Sequence, residues 1–94
     1  VYSATKAALQ CMARSLAKEV GPSGVRVNCV APGAVDTDMM ACYSPQDKQA
    51  LADETPLGRL CAAQDIADAA DFLLSGKASF ITGQTLAVDG GFTL

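Results

Sequence analysis

The sequence predicts an α/β chain contributing to a doubly wound parallel sheet, and three observations carry that prediction. Apolar residues recur at the 3.6-residue helical period in two stretches, Tyr2–Val20 and Ile66–Leu74. Two short runs, Val25–Ala31 and Thr85–Val88, are rich in β-branched or apolar residues and bounded by glycine or proline. Their order is helix, strand, helices, strand, and parallel strands need helical crossovers of this kind. Two strands alone leave sheet edges and helix faces unpaired. Residues 1–94 are therefore expected to be the C-terminal portion of one larger domain, an expectation strengthened by a start at Val1, inside a helix already under way.

The elements follow in order. In the first helix Leu9, Met12, Leu16 and Val20 form the apolar stripe, thickened by Ala7, Ala8, Ala13 and Ala17. Gly21-Pro22 supplies its stop. Val25–Ala31 lies between Ser23-Gly24 and Pro32-Gly33, which predicts a short, largely buried strand. Ser44, Pro45 and Asp47 make a helix start that carries Ala50, Leu51 and Ala52, and Thr55-Pro56-Leu57-Gly58 reads as loop. Ile66, Ala69, Ala70, Leu73 and Leu74 share one helical face, with Asp65 in the first turn and Gly76 beyond the last. Thr85–Val88 is a second strand and Asp89-Gly90-Gly91 a turn.

Composition removes several function classes. The chain has 94 residues, 50% hydrophobic and 18% charged, which suits one globular domain. A net charge of −3 leaves no basic stripe for nucleic acid, no apolar run is long enough for a membrane span, and no secretory signal is evident. Cys11, Cys29, Cys42 and Cys61 contain no C-x-x-C pair and the chain has no histidine, so no zinc or other metal site is expected. Disulfides are formally possible, but thiols in such apolar surroundings read as small buried hydrophobes in a reducing compartment, hence cytoplasmic.

Chemistry enters with Tyr2 and Lys6. Four residues apart, they share one face of the first helix. A nearby cation favours the phenolate and so brings the phenol closer to a working proton donor at neutral pH. Carbonyl reduction needs such a donor. Pro32-Gly33 ends a predicted parallel strand, where ligands of open α/β sheets bind and where glycine permits close backbone approach.

Tyr2-Ser3-Ala4-Thr5-Lys6, then Asn28-Cys29-Val30-Ala31-Pro32-Gly33-Ala34-Val35-Asp36-Thr37, then Gly83 through Phe92, together resemble the short-chain dehydrogenase/reductase family over essentially the whole chain. Leu16-Ala17-Lys18-Glu19, Arg26-Val27-Asn28 and Pro56-Leu57-Gly58-Arg59 look most like its bacterial 3-oxoacyl-acyl carrier protein reductase branch, which serves fatty acid biosynthesis. The resemblance implies a Rossmann-type domain binding NADP or NAD, with its dinucleotide-binding N-terminal half outside this chain. It implies that Tyr2 is the general acid and that Lys6 depresses the tyrosine pKa and bonds the nicotinamide ribose. Pro32, Gly33, the Val35 main chain and the Thr37 hydroxyl would meet the cofactor, Val35 at the carboxamide and Thr37 at the carboxamide or pyrophosphate. Met39, Met40, Leu57 and Leu60 fall in the segment resembling the family's substrate loop, where either acyl contact or ordinary packing would suit them. Asn28 reads as structural, and Arg59 as a loop charge.

The family's glycine-rich loop, its selector for NAD or NADP and its catalytic serine are not in this sequence. The fragment alone is therefore expected to be inactive. The resemblance implies a small-molecule or acyl-carrier-bound carbonyl substrate, and a homo-oligomer, dimer or tetramer, when full length. Two alternatives stay open: another ketone, sugar alcohol or steroid as substrate, or a non-catalytic remnant serving assembly only.

Overall fold

The computed structural model describes the backbone of residues 2–36 and 42–94, with side chains from residue 4 onward in those ranges. The chain forms helix α1 (Tyr2–Val20), strand β1 (Cys29–Pro32), helices α2 (Pro45–Glu54) and α3 (Ala63–Leu74), and strand β2 (Thr85–Val88). The fold is α/β, with three α-helices and two parallel strands among the described residues, as the sequence predicts. The residues group into two compact units, 1–29 with 72–86 and 30–71 with 87–94.

In the first unit α1 ends at Val20 and passes into a 3₁₀ turn over Gly21–Ser23. The left-handed residue that closes it is Gly24, at φ 81°, rather than Gly21. The inward face of α1 carries Lys6, Gln10, Ala13, Ala17 and Val20, with Ala17 buried at 5% exposure. The expected stripe is mostly not this face. Leu9, Met12 and Leu16 are 61%, 69% and 46% exposed, about a quarter-turn round the helix. The inward face admits the close approach of Gly83, and small residues suit it better than large ones.

The polypeptide reaches β1 later than predicted. Residues 25–28 lie outside the strand, and β1 is half-buried rather than largely buried. The reason lies in side chains that pin this segment. Asn28 accepts from the Gln84 amide at 3.0 Å and donates to the Ile81 carbonyl at 3.0 Å, the structural role its position suggests. Val27 N–H donates to Thr82 Oγ1 at 3.0 Å, and Cys29 N–H to the Gln84 carbonyl at 2.8 Å. Leu73 at 8% and Ala78 at 0% exposure complete the buried set of this unit.

In the second unit α2 begins with a reciprocal capping box: Ser44 Oγ accepts from Asp47 N–H, and the Asp47 carboxylate accepts from Ser44 N–H. Its far end is closed by Thr55, 6% exposed, whose hydroxyl donates to the Leu51 carbonyl at 2.8 Å. Asp65, in the first turn of α3, accepts from the Ala62 amide at 2.8 Å and pairs bidentately with Arg59 at 2.7 and 3.2 Å. Arg59 is thus a paired cation rather than a bare loop charge, and the pairing and the Ala62 bond hold the Asp65 carboxyl below its ordinary range. Ile66, Ala69, Ala70 and Leu73 turn inward as predicted, whereas Leu74 is 81% exposed.

The cysteines depart from expectation. No disulfide joins the four, but Cys11 and Cys42 are exposed, and only Cys29 and Cys61 are half-buried. Cys11 lies off the inward face of α1, and Cys42 precedes the α2 cap.

Candidate active site

Tyr2 is the first residue of α1, and the helix is continuous to Val20, so Tyr2 and Lys6 stand one turn apart on a regular backbone. Lys6 is half-buried on the inward face. The Tyr2 side chain lies outside the described residues, as do Thr37, Met39 and Met40.

Pro32, Gly33 and Val35 belong to the second unit, where they leave the carboxyl end of β1. Gly33 N–H donates to the Val88 carbonyl at 3.2 Å, continuing the parallel register by one residue beyond β1. Val35 makes an isolated parallel bridge with Cys61. Cys61 N–H donates to the Ala34 carbonyl at 2.9 Å and its carbonyl accepts from Asp36 N–H at 2.8 Å. In that pattern the flanking residues serve Cys61, and Val35 turns its own N–H and C=O to the opposite side. A donor and an acceptor side by side, both directed away from Cys61, match the edge of a primary amide.

Gly33 is glycine for a reason the sequence does not disclose. A methyl group there would lie 2.9 Å from Asp89 Cβ and 3.0 Å from its Cα. The close approach that glycine permits is to the turn after β2.

A cleft of about 510 Å³ in the same unit is lined by Ala34, Leu57, Leu60, Cys61, Val88 and Asp89, among others. Leu57 and Leu60 therefore face a cavity, Leu57 at 73% exposure. Burial, and next the neighbouring Asp65 carboxylate, push the Cys61 thiol up. Its Sγ sits 3.6 Å from the Val88 carbonyl. Among the described residues no group of three or more Cys, Asp or Glu side chains is placed to hold a metal ion.

Arg26 ties together the first unit, through the Leu73 and Ala78 carbonyls, and Asp89 part of the second, and neither role is evident in the sequence. Asp89 accepts from Gly91 N–H at 2.9 Å and from both the amide and the hydroxyl of Thr93. A D-G-G turn signals a reversal but gives no hint that its carboxylate ties down the following residues.

A family model described as enoyl-(acyl carrier protein) reductase matches residues 1–93. The chain belongs to this family, within the short-chain dehydrogenase/reductases. Among its relatives, the uncharacterized oxidoreductase YmfI of Bacillus subtilis is 58% identical over 92 residues, spanning 98% of this chain and 38% of that protein. The 3-oxoacyl-acyl-carrier-protein reductase FabG of Chlamydia muridarum is 48% identical over 90 residues, spanning 96% of this chain and 36% of its own length.

Solved structures agree. A 3-oxoacyl-acyl carrier protein reductase from Brucella melitensis superposes with a TM-score of 0.93 at 41% identity, covering 99% of this chain and 35% of that one. Another from Brucella melitensis, with bound NAD, gives 0.87 at 39% identity, with 99% and 33% covered. A blue fluorescent protein from a metagenomic library, in complex with NADPH, gives 0.88 at 38% identity, with 99% and 37% covered. The chain thus spans between a third and two fifths of the length of these relatives.

Proposed function

We propose that residues 1–94 are the C-terminal portion of a single NAD(P)-binding Rossmann-type domain, and that the whole protein is an NAD(P)H-dependent oxidoreductase. Its substrate would be a carbonyl, a 3-oxoacyl thioester above others, reduced to a secondary alcohol. The observation that carries this reading is the Pro32–Val35 turn. It leaves the carboxyl end of a parallel strand with the Val35 N–H and C=O directed away from Cys61, and this suits a nicotinamide carboxamide. Relatives named as 3-oxoacyl reductases, and solved neighbours holding NAD and NADPH, support the substrate class and cofactor.

In this reading Val35 holds the carboxamide, Thr37 the carboxamide or pyrophosphate, and Lys6 the ribose, with Pro32 and Gly33 shaping the turn. Bound reduced nicotinamide supplies the hydride. Tyr2 donates its hydroxyl proton to the carbonyl oxygen as negative charge develops there, and the Lys6 ammonium one turn along stabilises the phenolate left behind. In oxidation the same phenolate takes the proton back. Leu57 and Leu60, lining the cleft, offer apolar contact to an acyl chain. In the full-length protein the family resemblance implies a homo-oligomer, dimer or tetramer. Among the described residues no helix is long and apolar enough to cross a membrane.

The family model's description favours one second reading, reduction of an enoyl thioester. Loss of reduced-nicotinamide absorbance, followed with the full-length protein, separates the two. The substrates are acetoacetyl thioester, crotonyl thioester and a panel of ketones, sugars and steroids, with NADH and NADPH in turn. Turnover of acetoacetyl thioester is expected. Turnover of crotonyl thioester alone would transfer the assignment to the second reading, and no turnover with either cofactor would leave the assembly-only alternative.

A further inference from the structure

We propose that Asp89-Gly90-Gly91 is a positioning element that fixes the Thr55-Pro56-Leu57 loop relative to the Pro32-Gly33 turn, and thereby sets how substrate fits the adjoining cleft. The substrate part of this inference rests on the carbonyl reductase reading above. Contacts run in both directions from the turn. On one side Asp89 occupies the space of a Gly33 side chain, at 2.9 Å, and the Val88 carbonyl accepts from Gly33 N–H. On the other, a methyl at Gly90 would lie 2.9 Å from Thr55 Cγ2 and 3.4 Å from Leu57 Cβ, and one at Gly91 would lie 2.9 Å from Pro56 Cγ. Leu57 N–H donates to the Gly90 carbonyl at 3.1 Å.

The turn itself is stiff. Both glycines have positive φ, 60° at Gly90 and 89° at Gly91, and the Asp89 carboxylate binds the Gly91 amide and the Thr93 amide and hydroxyl. The loop it holds is also anchored from behind, because Thr55 is buried and bonded to Leu51 and Ala52 at the end of α2. Close-packed groups of this kind transmit a displacement instead of absorbing it. Leu57, Val88, Asp89 and Gly90 all line the cleft, so a shift at the turn alters the cavity that the loop closes.

The test uses the full-length protein with Gly90→Ala, Thr55→Ser and the double variant, since serine removes the Cγ2 atom that the new methyl meets while keeping the hydroxyl. For Gly90→Ala, KM for acetoacetyl thioester should rise at least about tenfold, with kcat and the NADPH dissociation constant within about threefold of wild type. Adding Thr55→Ser should recover much of the KM. The full restoration is withheld by the left-handed backbone at residue 90, which alanine adopts only under strain. A KM unchanged by Gly90→Ala, or a loss spread equally over KM, kcat and cofactor binding without rescue, would overturn the proposal.

Amide exchange supplies a readout independent of turnover. Gly90→Ala should speed exchange at Leu57 and Gly58 while leaving Cys29 and Gly33 protected, and Thr55→Ser should reverse it. If the wild type proves inactive on carbonyls, the function assigned above fails and this arm alone decides the positioning role. Unchanged exchange at Leu57 and Gly58 would then refute it.

Discussion

Arg26 caps the end of a helix that begins 37 residues after it, its Nη1 donating to the Leu73 carbonyl at 2.6 Å and to the Ala78 carbonyl at 2.8 Å. A third contact reaches the Ser75 carbonyl at 3.4 Å. The last turn of α3 has orphan acceptors and the negative end of the helix dipole, and a partly buried guanidinium satisfies both. Arg26→Met should therefore destabilise the full-length protein by about 1–3 kcal/mol, the cost of stranding partly buried carbonyls. Denaturant unfolding measures it, and Arg26→Lys, which lacks the planar fork, should restore only part.

Gly33→Ala should lower stability by about 1–3 kcal/mol through overlap with Asp89. The loss should be present without NAD(P)H, in thermal unfolding of the unliganded protein. A glycine kept only for cofactor approach would leave the unliganded melting temperature alone.

If Tyr2 is the general acid proposed above, Tyr2→Phe in the full-length protein should cut kcat by at least about a hundredfold. NADPH affinity should persist. On the same reading, Lys6→Met should weaken cofactor binding and shift the pH dependence of the rate. An unmoved profile would count against coupling of the pair.

Asp89 gives a sign for acid behaviour. Its carboxyl is held below the usual range, first by the Thr93 hydroxyl and then by the Gly91 amide. A depressed folded pKa means the stabilisation is complete above the ordinary carboxylate value, about 3.9, and is lost as pH falls through the folded value. Asp89→Asn should accordingly flatten the stability loss below about pH 4 in the full-length protein, as read from unfolding midpoints against pH.

Much of this architecture is legible in sequence because it is local. The Ser44/Asp47 capping box, the Asp65 first turn and the Asp89-Gly90-Gly91 reversal are written within a few adjacent residues. The α1 period is also legible, but which side of it faces inward is not. That depends on Gly83, more than sixty positions later, which admits Ala17 and leaves Leu9, Met12 and Leu16 outward. The start of β1 is misplaced for a similar reason: Arg26 and Asn28 bind carbonyls 47 to 53 residues away, and periodicity cannot register such partners. At the candidate site the Tyr2/Lys6 spacing and the Pro32-Gly33 turn were readable, whereas the contact of Gly33 with Asp89 arises only when the two chain segments meet.

The long reach of Arg26 and Asn28 also sets an order of events during translation. Asn28 binds the Gln84 amide across 56 positions, and Arg26 binds carbonyls of residues 73–78. When α1 and β1 leave the ribosome, these partners are still unmade, so the first unit must wait, with its apolar groups wetted, until Gln84 emerges. Slow codons between residues 30 and 80 would prolong that vulnerable interval, and chaperone engagement of the nascent chain should peak there.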